Sequence, residues 1–273
     1  MPPFDQPGIL VIGAGRTGTF FAEQLEQMSL PYLLVDMKPL RPAHPRHLGR
    51  VTVLGIDADR EVMAEYDGKL YRFHCPAIVA ATGSRSIPVP FPGWTLPGVI
   101  LASAAELLLQ TPEPVLGQSV VLLTGQPEGP LAAKVRAAAK QATILHWDDL
   151  AWIEAGGKKG VQRFSWRRKA NAELSGPAAG PPAGGAAESV EADTVIVDAG
   201  WMPNVELFHS SGFEMFVDER GFLQVARHEN GETKTAPGIF VVGKAAGVDK
   251  NPSTGDYAEV FQALRRYVDA HNG

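Results

Sequence analysis

Apolar residues at the start of the chain form two short continuous runs separated by one longer periodic stretch. The first run, 8–12, predicts a β-strand because it is short and uninterrupted. Residues 17–28 follow with apolar side chains at helical spacing, which predicts an amphipathic helix. The second run, 32–35, predicts another strand and ends at Asp36. The pattern therefore predicts a strand–helix–strand unit of the kind that builds parallel sheets.

Three short alternating segments come next and predict an antiparallel meander. They lie at 51–57, 61–66 and 70–74, and Asp67-Gly68 between the last two is a strong hairpin signal. A fully apolar strand then ends at Thr82-Gly83.

The second half repeats the alternation of strands and helices. SVVLLTG predicts an apolar strand like the first, and a helix and strand follow it. GGKKGVQRFSWRRK predicts a basic strand, whereas SGPAAGPPAGGAAES is a low-complexity run that predicts a flexible loop. The predicted elements of this half and of the C terminus are helix 102–110, strand 119–125, helix 131–141, strand 143–147, basic strand 156–169, loop 175–189, turn 200–204 and helix 257–270.

The predicted turn between the first strand and its helix carries a G-x-G-x-x-G pattern at Gly13, Gly15 and Gly18. In that pattern the first glycine permits a tight turn, the second lets a diphosphate approach the backbone, and the third lets helix and strand pack closely. The helix N-terminus supplies free N–H groups and a positive dipole end. Asp36 is placed to accept hydrogen bonds from ribose hydroxyls. These residues predict a nucleotide site, and they leave FAD, NAD and a mononucleotide open.

The corresponding turn of the second half is GQPEGPLAAK, in which only Gly125 and Gly129 remain. Glu128 would place a negative charge where a pyrophosphate would lie. We therefore expect a Rossmann-like module kept for packing, without working NAD(P) binding.

Composition narrows the functional classes. The chain has 273 residues, enough for two domains, and its net charge of −5 argues against a nucleic-acid surface. No apolar run approaches the roughly eighteen residues of a membrane span, and the start lacks a secretory pattern, so we expect a cytoplasmic protein. Cys75 is the only cysteine, which excludes an iron–sulfur cluster made by this chain alone. We find no catalytic constellation and expect no metal site.

ATGSRSIPVPFPGWTLPGVILASAAELLLQ, together with the order of elements before it, resembles a family of flavoproteins. The family is that of two-dinucleotide-binding-domain proteins, and within it the nucleotide-binding (alpha or A) subunits of heteromeric dye-linked proline dehydrogenase, opine oxidase and hydrogen cyanide synthase. The resemblance implies an α/β fold with two Rossmann-like domains, each a parallel sheet with an antiparallel meander in three layers. The first domain would be discontinuous, 1–108 plus 204–273, and the second would be 109–203. FPGWTLPGV would carry the chain from the first domain towards the second, with Trp94 buried at the junction.

The resemblance also implies which residues bind the cofactor. The family's last strand ends in Gly-Asp, but here Lys244 follows Gly243. The connection after Asp36 is shorter than is usual in the family, and the cysteine-rich extension of many relatives is absent. The expected cofactor-binding residues are Gly13, Gly15, Arg16, Thr17, Gly18, Asp36, Met37, Val51, Thr82, Gly83, Gly243 and Lys244.

The function that this resemblance implies is that of one subunit in a larger enzyme. The chain would hold FAD, or ADP or ATP at the same site, and would assist electron transfer from a separate, larger FAD-containing catalytic subunit that oxidises an amine or amino acid such as proline, hydroxyproline or an opine. A small iron–sulfur subunit is a further expected partner. Two alternatives stay open: a redox-inert assembly scaffold that binds ADP or ATP, and a free-standing NAD(P)H-dependent flavin reductase.

Overall fold

A computed structural model of the chain describes residue 4 and residues 7–40, 44–111, 115–169, 187–248 and 252–272. Five α-helices are present in these ranges: α1 Arg16–Gln27, α2 Ala102–Leu108, α3 Pro130–Ala138, α4 Glu206–Ser210 and α5 Ala258–Asn272. Three short 3-10 helices are also present: Trp147–Asp149, Gly243–Ala246 and Gly255–Tyr257.

The strands of the first third of the chain are β1 Ile9–Ile12, β2 Tyr32–Asp36, β3 His47–Gly49, β4 Val51–Ile56, β5 Glu61–Tyr66, β6 Lys69–His74, β7 Ala77–Ala80 and β8 Ser84–Ser86. Those that follow are β9 Val99–Leu101, β10 Ser119–Thr124, β11 Gln141–His146, β12 Leu150–Gly156, β13 Arg163–Arg168, β14 Glu188–Glu191, β15 Thr194–Asp198, β16 Trp201–Pro203, β17 Met215–Val217, β18 Leu223–Val225 and β19 Ile239–Val241.

The chain divides into two compact units, 1–84 with 202–273 and 85–201. The division expected from the sequence, 1–108 with 204–273 and 109–203, differs mainly at its first boundary. The difference arises because β9 pairs in parallel with β15 in the sheet of the second unit, and because Ala105 of α2 is buried in that unit's core.

The first unit is built around a parallel sheet in the order β19-β7-β1-β2-β3. Side chains alternate across this sheet, as strands that are buried on both faces require. In β1, Ile9 and Val11 pack with α1 and α5, whereas Leu10 and Ile12 pack with residues of the meander β4-β5-β6. The result is three layers, which confirms the fold class that the sequence predicts.

The meander and its hairpin lie where the alternating pattern predicts them. β4, β5 and β6 pair in antiparallel order, and Tyr66 pairs with Lys69 across the turn. Asp67 and Gly68 have φ values of 52° and 72°, the left-handed conformation that a two-residue hairpin turn requires at both positions. The turn therefore fixes the register that turns Val62 and Ala64 towards the core.

The second unit repeats the three-layer arrangement with different residues. Its parallel sheet has the order β11-β10-β15-β9 and separates two cores. Val120 and Leu122 of β10 pack with α2 and α3, and Val121 and Leu123 pack with the antiparallel sheet β12-β13-β14. Of the predicted loop 175–189, residues up to 186 lie outside the described ranges.

The rigid stretch FPGWTLPGV belongs to the second unit and packs along its antiparallel sheet. The backbone N–H of Ala155 donates to the carbonyl oxygen of Pro92 at 2.9 Å, and a Cβ at Gly93 would overlap the Ala155 carbonyl oxygen. The burial expected for Trp94 is wrong, since 45% of this residue is exposed. Phe91 is the buried aromatic anchor instead, because its ring packs against Phe164 in the core.

Candidate functional site

A cleft of about 620 Å³ opens in the first unit where β1, β2 and β7 end. β1 pairs in parallel with β2 on one side and with β7 on the other. The strands that follow β1 in the chain therefore lie on both sides of it, which makes the end of β1 a topological switch point. Such a switch point, outside the carboxyl ends of parallel strands, is where open α/β sheets bind ligands. The residues that line this first cleft are Ile12, Gly13, Ala14, Gly15, Val35, Asp36, Met37, Lys38, Val51, Thr52, Val53, Ala81, Thr82, Gly83, Ser84, Asn204, Glu206 and Leu207.

Two of the three glycines in the turn after β1 are required by the chain's own packing. Gly13 has φ +99°, and a Cβ there would overlap the carbonyl oxygen of Ala81. A Cβ at Gly18 would overlap the carbonyl oxygen of Gly13. Gly15 is different, because it has an ordinary φ of −74° and, its two chain neighbours aside, no described residue comes within 4 Å of the position of its missing Cβ. The space beside Gly15 is therefore available to a ligand.

Helix α1 begins at this open space and leaves its first-turn N–H groups without a side-chain cap. Gly15 is the N-cap, no side chain caps it, and no acidic residue lies in the first turn. The first helical bond within the chain runs from the Thr19 N–H to the Gly15 carbonyl oxygen at 2.9 Å. Unsatisfied N–H groups and the positive dipole end together favour an anion at this position.

The Asp36 carboxylate connects the end of β2 to the glycine turn. Its Oδ2 accepts a hydrogen bond from the Ala14 N–H at 2.7 Å, and its Oδ1 accepts one from the Lys38 N–H at 2.7 Å. An ionised carboxylate has about four acceptor positions, so two backbone bonds leave capacity for ligand hydroxyls. Asp36 is thus held in one orientation at the wall of the cleft while still able to accept further hydrogen bonds.

The opposite wall is fixed by hydrogen bonds between Thr82 and Asn204. The Thr82 hydroxyl donates to the Asn204 carbonyl oxygen at 2.9 Å, and the Asn204 side-chain amide donates to the Thr82 carbonyl oxygen at 2.9 Å. The Asn204 N–H also donates to the Gly83 carbonyl oxygen at 3.0 Å. Beside them the hydroxyl oxygen of Ser84 is buried and has no hydrogen-bond partner in the described part of the chain. A buried polar atom of this kind calls for a partner, which a ligand in the cleft can supply.

The structure brings seven of the twelve expected residues together along the first cleft. These are Gly13, Gly15, Asp36, Met37, Val51, Thr82 and Gly83. Arg16, Thr17 and Gly18 form the first turn of α1 behind them. Sequence reasoning missed several lining residues, although the Pro203-Asn204 turn was a visible signal for one of them. The missed residues are Ile12, Ala14, Val35, Lys38, Thr52, Val53, Ala81, Ser84, Asn204, Glu206 and Leu207.

Gly243 and Lys244 lie at the end of β19, in the 3-10 helix, and neither lines the first cleft. Gly243 has φ +64°, and a Cβ there would overlap the hydroxyl oxygen of Thr17. The Gly243 N–H donates to the hydroxyl of Tyr257 at 3.2 Å. Gly243 therefore lets β19 approach α1 closely, as a packing residue. Lys244 is half-buried, and an ammonium group cannot accept a hydrogen bond from a ribityl hydroxyl.

The residues of the first cleft fit the adenosine diphosphate part of a nucleotide. The residues around Lys244 do not fit the ribityl chain of a flavin in the same way. The open space at Gly15, the uncapped start of α1 and the free acceptor capacity of Asp36 suit a diphosphate and a ribose. At the end of β19 the acid that would receive a ribityl chain is replaced by a cation.

The turn between β10 and α3 in the second unit carries an exposed ion pair. Both guanidinium nitrogens of Arg136 contact the Glu128 carboxylate, at 3.1 and 3.3 Å. A Cβ at Gly129 would lie 2.9 Å from the Cβ of Gln126, whereas one at Gly125 would have no described residue within 4 Å apart from its chain neighbours. The acid predicted to repel a pyrophosphate is thus present at the turn and paired with a helix cation.

Three features of the described ranges concern redox chemistry, metals and membranes. Cys75 is buried, and burial raises the pKa of its thiol far above the usual range. The described residues contain no group of three or more His, Cys, Asp or Glu side chains arranged to hold a metal. None of the helices in these ranges has the length and apolar character needed to cross a bilayer.

Comparison with characterised proteins identifies relatives among enzyme subunits, although no protein-family model matches the chain. It is 27% identical to the opine oxidase A subunit of Agrobacterium tumefaciens, over 63% of this chain and 39% of that protein. It is 26% identical to the HcnB subunit of hydrogen cyanide synthase from Pseudomonas aeruginosa, over 88% of this chain and 66% of that protein. The chain thus spans only part of the length of both relatives.

Solved structures with the same fold include dehydrogenases and reductases. L-proline dehydrogenase of P. horikoshii matches with a TM-score of 0.72 and 17% identity, over 98% of this chain and 56% of that one. Thioredoxin reductase of T. acidophilum matches with a TM-score of 0.68 and 15% identity, over 97% and 99% of the two chains. The resemblance that the sequence motifs indicate is therefore confirmed: this chain has the Rossmann-like fold of the flavin- and pyridine-nucleotide-linked oxidoreductases and resembles the opine oxidase A and HcnB subunits.

Proposed function

We propose that this chain is the nucleotide-binding subunit of a heteromeric FAD-dependent amine or amino-acid dehydrogenase. In this role it holds FAD in the first cleft and assists electron transfer from a separate catalytic flavin subunit. The observation that carries the proposal is the first cleft itself, with its open position at Gly15 and the oriented carboxylate of Asp36. The relatives named as subunits of an opine oxidase and a hydrogen cyanide synthase support the heteromeric part.

Four groups at the first cleft have a defined task in this proposal. The N–H groups at the start of α1 receive the diphosphate, and Asp36 accepts hydrogen bonds from the adenosine ribose. The buried hydroxyl of Ser84 donates to the ligand, and Asn204 keeps the wall at Thr82 in place. A bound FAD would supply the capacity to accept and pass on electrons. We assign no catalytic residue to this chain, so the amine is oxidised on the partner subunit.

Lys244 favours a second candidate function, a redox-inert scaffold that binds ADP or ATP. Lys244 stands where an acid would accept a hydrogen bond from a ribityl hydroxyl, whereas Lys38 lines the first cleft beside Asp36, where a cation can neutralise a phosphate. The connection between β2 and β4 spans only residues 37–50, which leaves little chain to cover a flavin ring. In this version the nucleotide stabilises the chain for assembly.

The third candidate, a free-standing NAD(P)H-dependent flavin reductase, is opposed by the second unit. With Gly125 as the first glycine, Pro127 and Pro130 occupy the second and third glycine positions of the phosphate-binding pattern, and the turn carries the Glu128–Arg136 pair. We therefore expect NADH and NADPH to leave any bound flavin oxidised. Rapid bleaching of a yellow protein by either nucleotide would favour the reductase.

The experiment that separates these functions is analysis of the nucleotide released by denaturing the purified protein. FAD in stoichiometric amount, with an oxidised-flavin spectrum before denaturation, supports the dehydrogenase subunit. ADP or ATP without flavin supports the scaffold. An extract without any adenine compound contradicts both, since each depends on the first cleft.

The heteromeric part is tested by purification of the tagged chain from its native cells. Recovery of a larger flavoprotein in fixed ratio, with dye-linked oxidation of proline, hydroxyproline or an opine, is the expected result. If the chain purifies alone with its nucleotide still bound, the proposed partner subunit is contradicted, whereas the proposed nucleotide site is not.

A further inference from the structure

A second cleft, of about 520 Å³, lies in the first unit beside the end of β19 and the start of α5. It shares no lining residue with the first cleft. Its volume is within the range of roughly 300–1,000 Å³ that is typical of small-molecule sites. Charged residues on its wall include Arg227, Glu229 and Glu259.

Arg227 is a half-buried cation that has no acidic partner among the described residues. One terminal guanidinium nitrogen donates to the Ala246 carbonyl oxygen at 2.7 Å, and the other donates to the Val225 carbonyl oxygen at 3.4 Å. Burial lowers the pKa of Arg227, and no carboxylate among the described residues opposes this effect. A guanidinium group has five N–H donors, and these two bonds leave three of them unused. Buried charges are normally paired, and an unpaired one at the wall of a cleft indicates an anionic ligand group.

Glu229 and Glu259 line the same cleft but are exposed. Neither has a hydrogen bond or an ion pair in the described part of the chain, so neither lies within ion-pair distance of Arg227. Asp256, a third acid of the cleft, already accepts hydrogen bonds from the Ser253 hydroxyl at 2.7 Å and the Ser253 N–H at 3.2 Å. Among the described residues, the cleft therefore presents one unpaired positive charge and two unpaired negative charges, and the positive charge lies beyond ion-pair distance of both negative ones.

We propose that the second cleft binds a small zwitterion of the α-amino acid class, with its carboxylate on Arg227 and its ammonium group facing Glu229 and Glu259. A planar guanidinium group matches a carboxylate through two parallel hydrogen bonds. The two glutamates favour an ammonium group and disfavour a compact dianion such as phosphate. The site is separate from the nucleotide cleft, and its occupant is bound without being oxidised there. The proposal goes beyond the function proposed above and does not depend on it.

The test is calorimetric titration of the purified full chain with glycine, L-proline and L-alanine. Three reference solutes separate the charges: acetate carries only the carboxylate, methylammonium carries only the cation, and inorganic phosphate is the dianion. We expect at least one amino acid to bind and each reference solute to bind at least about tenfold more weakly, because each loses a charge-assisted contact.

Variants then assign the charges to residues. Arg227→Gln should weaken amino-acid binding about tenfold or more, and Arg227→Lys should restore part of it. The double variant Glu229→Gln, Glu259→Gln changes only exposed side chains, so it tests the site even if the Arg227 variants fail to fold. Arg265→Gln is the matched control, since Arg265 is exposed on α5 and lines neither cleft.

Three results would overturn the proposal. The first is that no amino acid binds, or that acetate binds as tightly as the amino acids. The second is unchanged amino-acid binding in the double glutamate variant. The third is a reduced nucleotide content in folded Arg227 variants, because the second cleft would then serve the nucleotide. Nucleotide content measured in the same samples separates failure of this site from failure of the nucleotide-binding function.

Discussion

Replacing Gly15 by alanine separates binding from folding more cleanly than any other change in the first cleft. Its φ of −74° is accessible to alanine, and in the described part of the chain nothing beyond the adjacent residues comes within 4 Å of the new methyl group. Alanine restricts the unfolded chain, which stabilises the protein by about 0.4–1 kcal/mol. Alanine is also a poorer N-cap than glycine, by roughly 0.5–1 kcal/mol. These opposite terms nearly cancel, so we expect the free energy of unfolding to change by less than about 1 kcal/mol.

The same methyl group should weaken nucleotide binding strongly. It projects into the space that a diphosphate must enter to reach the N–H groups at the start of α1. Loss of one hydrogen bond to a charged group costs about 1.5–3 kcal/mol, which corresponds to about a 10- to 150-fold rise in Kd. The assay is titration of nucleotide-free protein with ADP and FAD, together with thermal unfolding of each variant.

Gly125→Ala is the matched control because this glycine also has open space around its missing Cβ and lies in the turn of the second unit. We expect it to leave both Kd and Tm unchanged. Wild-type affinity in folded Gly15→Ala protein would refute the assignment, since the diphosphate could then not lie against this turn. An equal loss of affinity in Gly125→Ala would contradict the assignment, because it would mean that the turn of the second unit also takes part in nucleotide binding.

Packing and titration lead to three more expected outcomes. Gly18→Ala should lower Tm by several degrees or prevent folding, because its Cβ overlaps the Gly13 carbonyl oxygen; wild-type Tm by calorimetry would contradict this. Native Cys75 should resist thiol reagents at neutral pH and react only on unfolding, since burial raises its pKa; rapid native labelling would contradict this. Hydrogen bonding from the Phe222 N–H, followed by other partners, lowers the pKa of Asp218 to about 2. The folded-state pKa is below the unfolded value, so this stabilisation is present above pH about 4 and is lost as the pH falls towards 2. Asp218→Asn should therefore flatten the acid limb of stability against pH, measured by urea unfolding.

The fold of the first unit was predictable because local signals and burial agree there. Continuous apolar runs mark the strands that are buried on both faces, and the Asp67-Gly68 turn fixes the meander register. The expectations that differ from the structure concern residues whose spatial neighbours are far away in the sequence. Trp94 was expected to be buried for its size, but Phe91 fills the core and the indole stays 45% exposed. The expected first boundary follows residue 108, whereas β9 pairs with β15, a strand that lies far along the chain and that local sequence does not reveal.

The candidate site was predictable only where a residue carries its own signature. The glycines of the first turn and Asp36 follow from spacing. Ser84 and Glu206 have no such signature, and they reach the first cleft because the chain leaves and re-enters the first unit beside it. Gly243 was expected at the nucleotide, yet its positive φ and its contact with Thr17 give it a packing reason that no spacing reveals.

Strand register within the two units explains why we infer a single nucleotide site. Ile12 pairs with Val35 and Thr124 pairs with His146, so the residue that corresponds to Asp36 in the second unit is Trp147. An indole is a donor only and cannot accept a hydrogen bond from a ribose hydroxyl. The Trp147 Nε1 already donates to the Asp198 carbonyl oxygen at 2.8 Å. The second unit thus retains the sheet and helices of a nucleotide-binding module but has replaced the acceptor that would hold the sugar. A chain with one such acceptor suits a protein that holds a nucleotide for a partner better than a reductase that must bind two.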